Sequence, residues 1–425
     1  MPAVILPPQA PTWGTAARGD AGDTRRTRGL GLGAAVRRYN DLAVPGIGGL
    51  WFAKPLVWSM IGLSLGGKAG TRAEIANATE VVAMFHALLT NDGGRNARIN
   101  GSTKLGRHGG KFPRFADARR RSFYVTVPFR QGMVQPLRAL GLARSEIQRF
   151  NAFEPTKEGA EFLSAALAPF RPYNRDVLDV VREWTAGGRV ELVRSPKVGE
   201  ALTPLTGLPR AAAELLRESL FGALDSRARR RVRDWLRVVA QSGEAVSWSE
   251  KPESFDAEHW QDMRDGARFF LMRDAALLTL DAVEAKLRAT GRSEVGLPEA
   301  LSAAEKAVHQ LRAAAMEFLS GGRDERAPGA LGFAREVSQA DDGAVLMFLA
   351  DRDGRGVRAT SSGLAAGSAF NPHGPSGADD DGVEAPDDEA APPAAASLRL
   401  PPGSSGRLRA LHSLDGDVEA SCADE

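Results

Sequence analysis

The stretch SRARRRVRDWLRVVA, residues 226–240, repeats apolar side chains at Ala228, Val232, Trp235, Leu236 and Val239. Steps of three and four place them in one stripe along an α-helix, and a helix with one apolar stripe must bury it against another element. The same spacing recurs over 210–224, 257–289 and 298–319. Asp225 or Ser226 can cap the helix at 226–241, and Gly291 and Gly321–Gly322 are natural stops. Residues 173–371 therefore read as a mostly α-helical bundle domain with short loops.

Earlier in the chain, residues 71–90 predict a helix with Ile75, Ala78, Val82, Phe85 and Leu89 on its buried face, and His86 beside that face as a surface or otherwise satisfied histidine. Helices are also expected over 127–140 and 156–168. AVLMFLAD (344–351) is a continuous apolar run, open to a buried strand or a helix. Residues 1–70 read as an irregular arm, Gly-rich and basic, with Arg25, Arg26, Arg28, Arg37 and Arg38. Residues 372–397 are acidic and Pro-rich, so they are expected to be a disordered linker, with a tail at 398–425 whose apolar start docks back onto the body.

A length of 425 residues argues for two or three domains, and 43 % apolar with 25 % charged residues is ordinary for a soluble globular protein. The excess of Arg over Lys, with abundant Ala, reads as the coding bias of a GC-rich bacterial genome. Cys422 is the only cysteine, which excludes disulfide scaffolds and Cys-based zinc sites. No basic stretch precedes an early apolar one, so no signal peptide is expected. The most apolar window, 42–65, contains Lys54, Pro45 and Pro55, and suits a buried, broken segment better than a membrane span. The expected compartment is the cytoplasm, without membrane contact.

Three patterns invite a chemical reading and have a plainer one. GLSLGGK (62–68) fits the first part of a phosphate-binding loop, but Ala69 stands where Ser or Thr should hold magnesium. The plainer reading is a flexible connector. RGLGLGAAV (28–36) lacks the dinucleotide spacing and reads as a turn. In 256–274, Glu258, His259, Asp262 and Asp265 share a helix with Arg264, Arg268 and Arg273, which suits ion pairing better than a metal site. No nucleophile–base arrangement stands out, and no cofactor or metal is expected.

The strongest functional signal lies between 95 and 130, where ten basic residues face a single acid, Asp117, for a local charge of +9 in a chain of net +2. Phe112, Phe115, Phe123 and Tyr124 interleave with them. Charge of this density attracts a polyanion, unless the chain's own acids, such as the tract at 379–389, neutralise it. RQGMVQPLRALGLARSEIQRFNAFEPTKEGAEFL (130–163) resembles the second half of a winged helix-turn-helix domain. It has Leu137, Leu140, Gly141 and Leu142 at a helix end, then Phe150 and Phe153, then Thr156, Gly159 and Leu163 opening a closing helix. The resemblance spans about residues 71–170. It implies a winged-helix-like domain at 71–172 with a small β wing and a basic insertion at 91–122. Met133, Leu137 and Leu140 would face the core, while Arg130, Gln131, Gln135 and Arg138 face a DNA groove. Pro136 implies a kink or a late start in that helix.

The expected architecture is thus mainly α, a winged-helix-like domain followed by a helical bundle. The expected function is non-enzymatic association with DNA. Lys104, Arg107, Lys111, Arg114, Arg119 and Arg120 would neutralise phosphates, and Arg149 would be a wing contact. The alternative is an adaptor or scaffold subunit of a bacterial multiprotein system that processes or defends against foreign DNA, with protein-docking surfaces only. The acidic tract 379–389 is a candidate competitor of DNA for the basic insertion.

Overall fold

A computed structural model describes residues 29–67, 70–91, 96–120, 123–125, 127–222, 226–321, 327–370, 372 and 398–423. Lys68, Arg95, Arg121, the run Arg25–Arg28 and the tract 379–389 lie outside them. The fold is mainly helical, 65 % helix in sixteen α-helices, with two small sheets among the described residues.

The expected irregular arm carries two helices, at 33–43 and 54–65, which corrects the reading of 1–70. Helix α1 (Gly33–Ala43) buries Val36 and Tyr39, and α2 (Lys54–Leu65) is buried from Lys54 to Leu63. Pro55 opens α2 instead of breaking it, since the first helical turn needs no N–H from proline. At twelve residues α2 is about 18 Å long, and among the described residues no helix is long and apolar enough to cross a membrane. Lys54 is fully buried, its amine donating to the Ala201 carbonyl at 2.8 Å. Burial pulls that amine down to about 7, against the raising influence of Asp417.

Helix α3 (Arg72–Thr90) opens with a capping box, in which Thr71 accepts from the Glu74 N–H and Glu74 accepts from the Thr71 N–H. It is buried on every side from Ile75 to Ala87, not on one face. Leu89, expected inside, is 59 % exposed because the helix leaves the core there. His86 is buried, its Nε2 bonded to the Val193 carbonyl at 2.8 Å, and burial lowers its pKa. Residues 56–62 belong to α2, so no strand leads into the GLSLGGK pattern. A Cβ on Gly62 would stand 2.6 Å from both the Ala76 Cβ and the Arg72 carbonyl. That glycine lets α2 and α3 approach.

Short helices α4 (Ser102–Gly106) and α5 (Phe115–Ala118) carry the basic insertion. A 3-10 turn (Phe129–Met133) leads into α6 (Val134–Ala139). Proline accounts for that late start. Pro136 is the third residue of α6, where a helix has no partner for its N–H anyway. Strands β1 (Ala143–Arg144) and β2 (Glu154–Pro155) pair antiparallel, and α7 (Lys157–Leu167) follows with Thr156 as its cap, as expected. Gly159 lies against the start of β1. A Cβ there would meet the Leu142 carbonyl oxygen at 1.9 Å.

Helices α8 (Val177–Thr185), α9 (Pro196–Leu202), α10 (Arg210–Phe221) and α11 (Arg227–Ser242) continue the same core. Buried apolar residues run from Ala43 to Met263 without a break near residue 172, so the boundary expected there is not a boundary between cores. The long helix α12 (Ala257–Thr290) bridges two cores, with Trp260 and Met263 in the first and Phe269 onward in the second. Gly291, at φ +64°, ends it. Strand β3 (Glu294–Gly296) and α13 (Leu297–Gly321), which packs along α12, follow. Next come α14 (Pro328–Gln339) and α15 (Asp342–Asp353). The run 344–351 is therefore helical. Strands β4 (Val357–Ala359) and β5 (Gly363–Ala366) complete an antiparallel sheet in the order β3-β5-β4.

The last helix, α16 (Gly406–Ala423), returns to the first core against α10 and α11. Buried Arg407 donates to Asp41 at 2.9 Å, to the Val44 carbonyl and to the Gln135 side chain. Asp417 accepts from the Ala53 N–H and pairs with Arg98 at 2.8 Å. The tail docks as expected.

Candidate nucleic-acid interface

The basic insertion is amphipathic in space. Phe112, Phe115 and Tyr124 are buried, Phe115 edge-on to Trp184 at 5.5 Å and Phe112 beside Phe85 at 5.4 Å. These aromatics anchor the segment and offer no open ring faces. The cations between them point outward. Arg107, Lys111, Arg114, Arg119 and Arg120 are exposed, and Lys104 is half-buried. Among the described residues no carboxylate pairs with Arg107, Lys111 or Arg114. Arg119 is 43 % exposed and 3.8 Å from Glu74, and Arg120 is 69 % exposed and 3.6 Å from Asp117. Exposed pairs this loose hold little energy, about 0–1 kcal/mol, so both arginines remain available to a polyanion.

Two depressions adjoin at Ala116 and Arg119. The larger, 930 Å³, lies between α5 and the turn after α8, with Arg114, Arg119 and Arg189 against one carboxylate, Glu191. The smaller, 470 Å³, has Arg119, Arg120 and Arg130 against Glu74. Arg189 was not singled out in the sequence. It follows Gly187–Gly188 in the turn between α8 and a 3-10 turn at Val190–Leu192, some seventy residues after α5. Nothing local marks it as part of a basic surface.

The other expected groove residues divide. Gln131 and Arg138 are exposed on the turn leading into α6 and on α6, and Arg149 is exposed between β1 and β2. Gln135 departs from expectation. Its amide donates to Asp41 and accepts from Arg407 at 2.7 Å, so it joins α6 to α1 and α16 and presents no free polar edge. Arg130 is turned inward in part, its Nε donating to Asn77 at 2.7 Å and its guanidinium 5.0 Å from the Phe150 ring centre.

Glu80 sits beneath this surface and was also missed, although an acid inside the apolar run of α3 was its signal. It is fully buried and accepts from the Tyr124 hydroxyl and from the Phe129 N–H at 2.9 Å, with the Arg130 N–H at 3.4 Å. Burial pushes its carboxyl up to about 7, although these donors and the Arg130 charge pull it down. The Tyr124 phenol is pushed well up by the same burial and by the adjacent carboxylate. Glu80 thus fastens the chain after the insertion to α3 and sets Arg130 at the rim of the smaller depression.

In the bundle, His259 bonds the Ala43 carbonyl at 3.1 Å, and Asp265 is buried near Arg268 at 3.5 Å. Among the described residues no three potential ligands converge to hold a metal ion. No protein-family model, curated protein or solved structure matches this chain.

Proposed function

We propose that this protein is a non-enzymatic, nucleic-acid-associated protein that meets DNA through phosphate contacts on the basic insertion and the ground beside it. The observation that carries the reading is the division of labour within 104–120. There Phe112 and Phe115 are buried, while Arg107, Lys111, Arg114, Arg119 and Arg120 are exposed, and Arg114, Arg119 and Arg120 line two depressions. Phosphate contacts position a nucleic acid without reading its bases, so binding is largely independent of sequence. The winged-helix-like reading has partial support in the order α6, β1, β2, α7 with a capped closing helix. The inward Gln135 weighs against α6 as a base reader.

The test is a titration of labelled DNA at rising salt. Neutralising about four phosphates of duplex DNA gives a log–log slope of affinity on salt of about −3.6. A flat slope would sink the proposal. A second reading, an adaptor with protein-docking surfaces, is favoured by Leu278 and Met316, 56 % and 64 % exposed on α12 and α13. Under that reading Leu278→Asp and Met316→Asp would abolish complex formation, and the protein would not shift DNA.

A further inference from the structure

The basic depressions are recessed, and their shape bears on what they hold. Duplex DNA is commonly read by an element that projects into it, a helix or a ribbon in the major groove. Helix α6 has six residues, about 9 Å, with Pro136 and Leu137 buried and Gln135 held by Asp41 and Arg407. It projects little. A recessed channel edged with cations suits a strand whose backbone can enter it.

We infer that the channel between α5 and the turn after α8 takes single-stranded nucleic acid, held by its phosphates over on the order of four nucleotides. This rests on the nucleic-acid reading above and narrows it. Arg114 and Arg119 flank α5, and Arg189 comes from the turn after α8, so cations reach the channel from two separate segments. Glu191 leaves the lining net positive. Trp184 also lines the channel. It is fully buried, and its indole N–H has no partner among the described residues. That nitrogen is itself closed to solvent, so the unpaired donor is a cost of the fold, about 1–3 kcal/mol, and not a contact for a phosphate. Phe115 and Trp184 are buried and expose no ring face for stacking. The bases therefore stay outside, and strands of different composition bind alike.

The experiment uses the full chain at low salt with a labelled oligothymidylate of about twelve nucleotides and the duplex of the same length, followed by fluorescence anisotropy. The single strand binds about tenfold tighter than the duplex. Arg189→Glu weakens it by a further factor of about ten without moving the thermal midpoint, since Arg189 is exposed. Equal or tighter duplex binding overturns the single-strand inference and leaves the nucleic-acid reading standing. A single strand indifferent to Arg189→Glu overturns the assignment to this channel. If neither form binds, both readings fail.

Discussion

Two segments of this chain have nearly the same charge and opposite fates. Residues 227–237, RARRRVRDWLR, hold six arginines against one acid, and 104–120, KLGRHGGKFPRFADARR, hold six cations against one acid. In the first, most of the guanidiniums are consumed. Arg229 donates to the Leu220, Pro45 and Ser219 carbonyls, and Arg230 to the Phe221 carbonyl. These include the last-turn acceptors of α10, which no backbone donor of that helix can satisfy. Arg231 pairs with Asp256 at 2.6 Å, and Arg237 binds Asp415 through two hydrogen bonds. In the second segment the aromatics take the inward positions, and among the described residues its cations meet only the partly exposed carboxylates Glu74 and Asp117. Charge density alone does not decide which outcome follows. The neighbours do.

The largest effect that separates the two is on stability. Arg229→Ala removes three carbonyl contacts from a buried site and strands the end of α10. The expected loss is about 4 kcal/mol, read as a lower urea midpoint, with DNA affinity per folded molecule unchanged. Arg229→Lys restores only part of it, because an ammonium lacks the planar fork. If Arg229→Ala unfolds no earlier than the wild type, the cations of α11 are not structural and the contrast collapses.

Next comes pH. Glu80 has a carboxyl near 7 in the fold and an ordinary value of 4.5. Between those values the folded chain binds a proton that the unfolded chain does not. Its contribution to stability is therefore largest below about 4.5 and declines as pH rises to 7. Glu80→Gln removes that slope. Across the window the wild type should gain on the variant, as pH falls, by on the order of 3 kcal/mol. Paired urea titrations at the two ends measure it. Lys54 changes charge on folding only above this window. His86 and His259, both lowered by burial, are common to both proteins. A constant difference between the proteins would show that Glu80 titrates in the fold as it does in the unfolded chain.

What could be read beforehand follows from how local each cause is. The cap at Thr156 and the stop at Gly291 depend on residues within one turn, and the 3.6-residue stripes mark the long helices directly. The burial of α2 was visible in its apolarity, but its helical state was not, because a continuous apolar run has no period. The division into two cores escaped because α12 belongs to both, and the return of α16 to the first core crosses the whole chain. At the candidate interface the insertion was legible from charge. Arg189 was not, since only tertiary packing of α8 against α5 brings it near. Gln135 was misplaced because its partners, Asp41 and Arg407, lie about ninety and two hundred and seventy residues away.

The smallest expected effect is also the sharpest probe of the exposed segment. Asp117 is the single acid among its cations and stands 3.6 Å from Arg120. The pair is exposed, so its loss changes stability by no more than about 0.5 kcal/mol. For polyanion binding the same change matters differently. Asp117→Asn removes a repulsive charge beside Arg119 and Arg120 and releases Arg120 from its only carboxylate among the described residues. Affinity for DNA at low salt should rise about threefold, and the gain should fade as the Debye length shrinks to about 3 Å near 1 M salt. In α11 the corresponding change, Asp234→Asn, leaves DNA affinity where it was, because Arg233 is also held against the Phe221 ring at 4.5 Å. If both substitutions raise affinity equally, the gain comes from net charge alone, and the exposed segment has no claim to be the place where the polyanion sits.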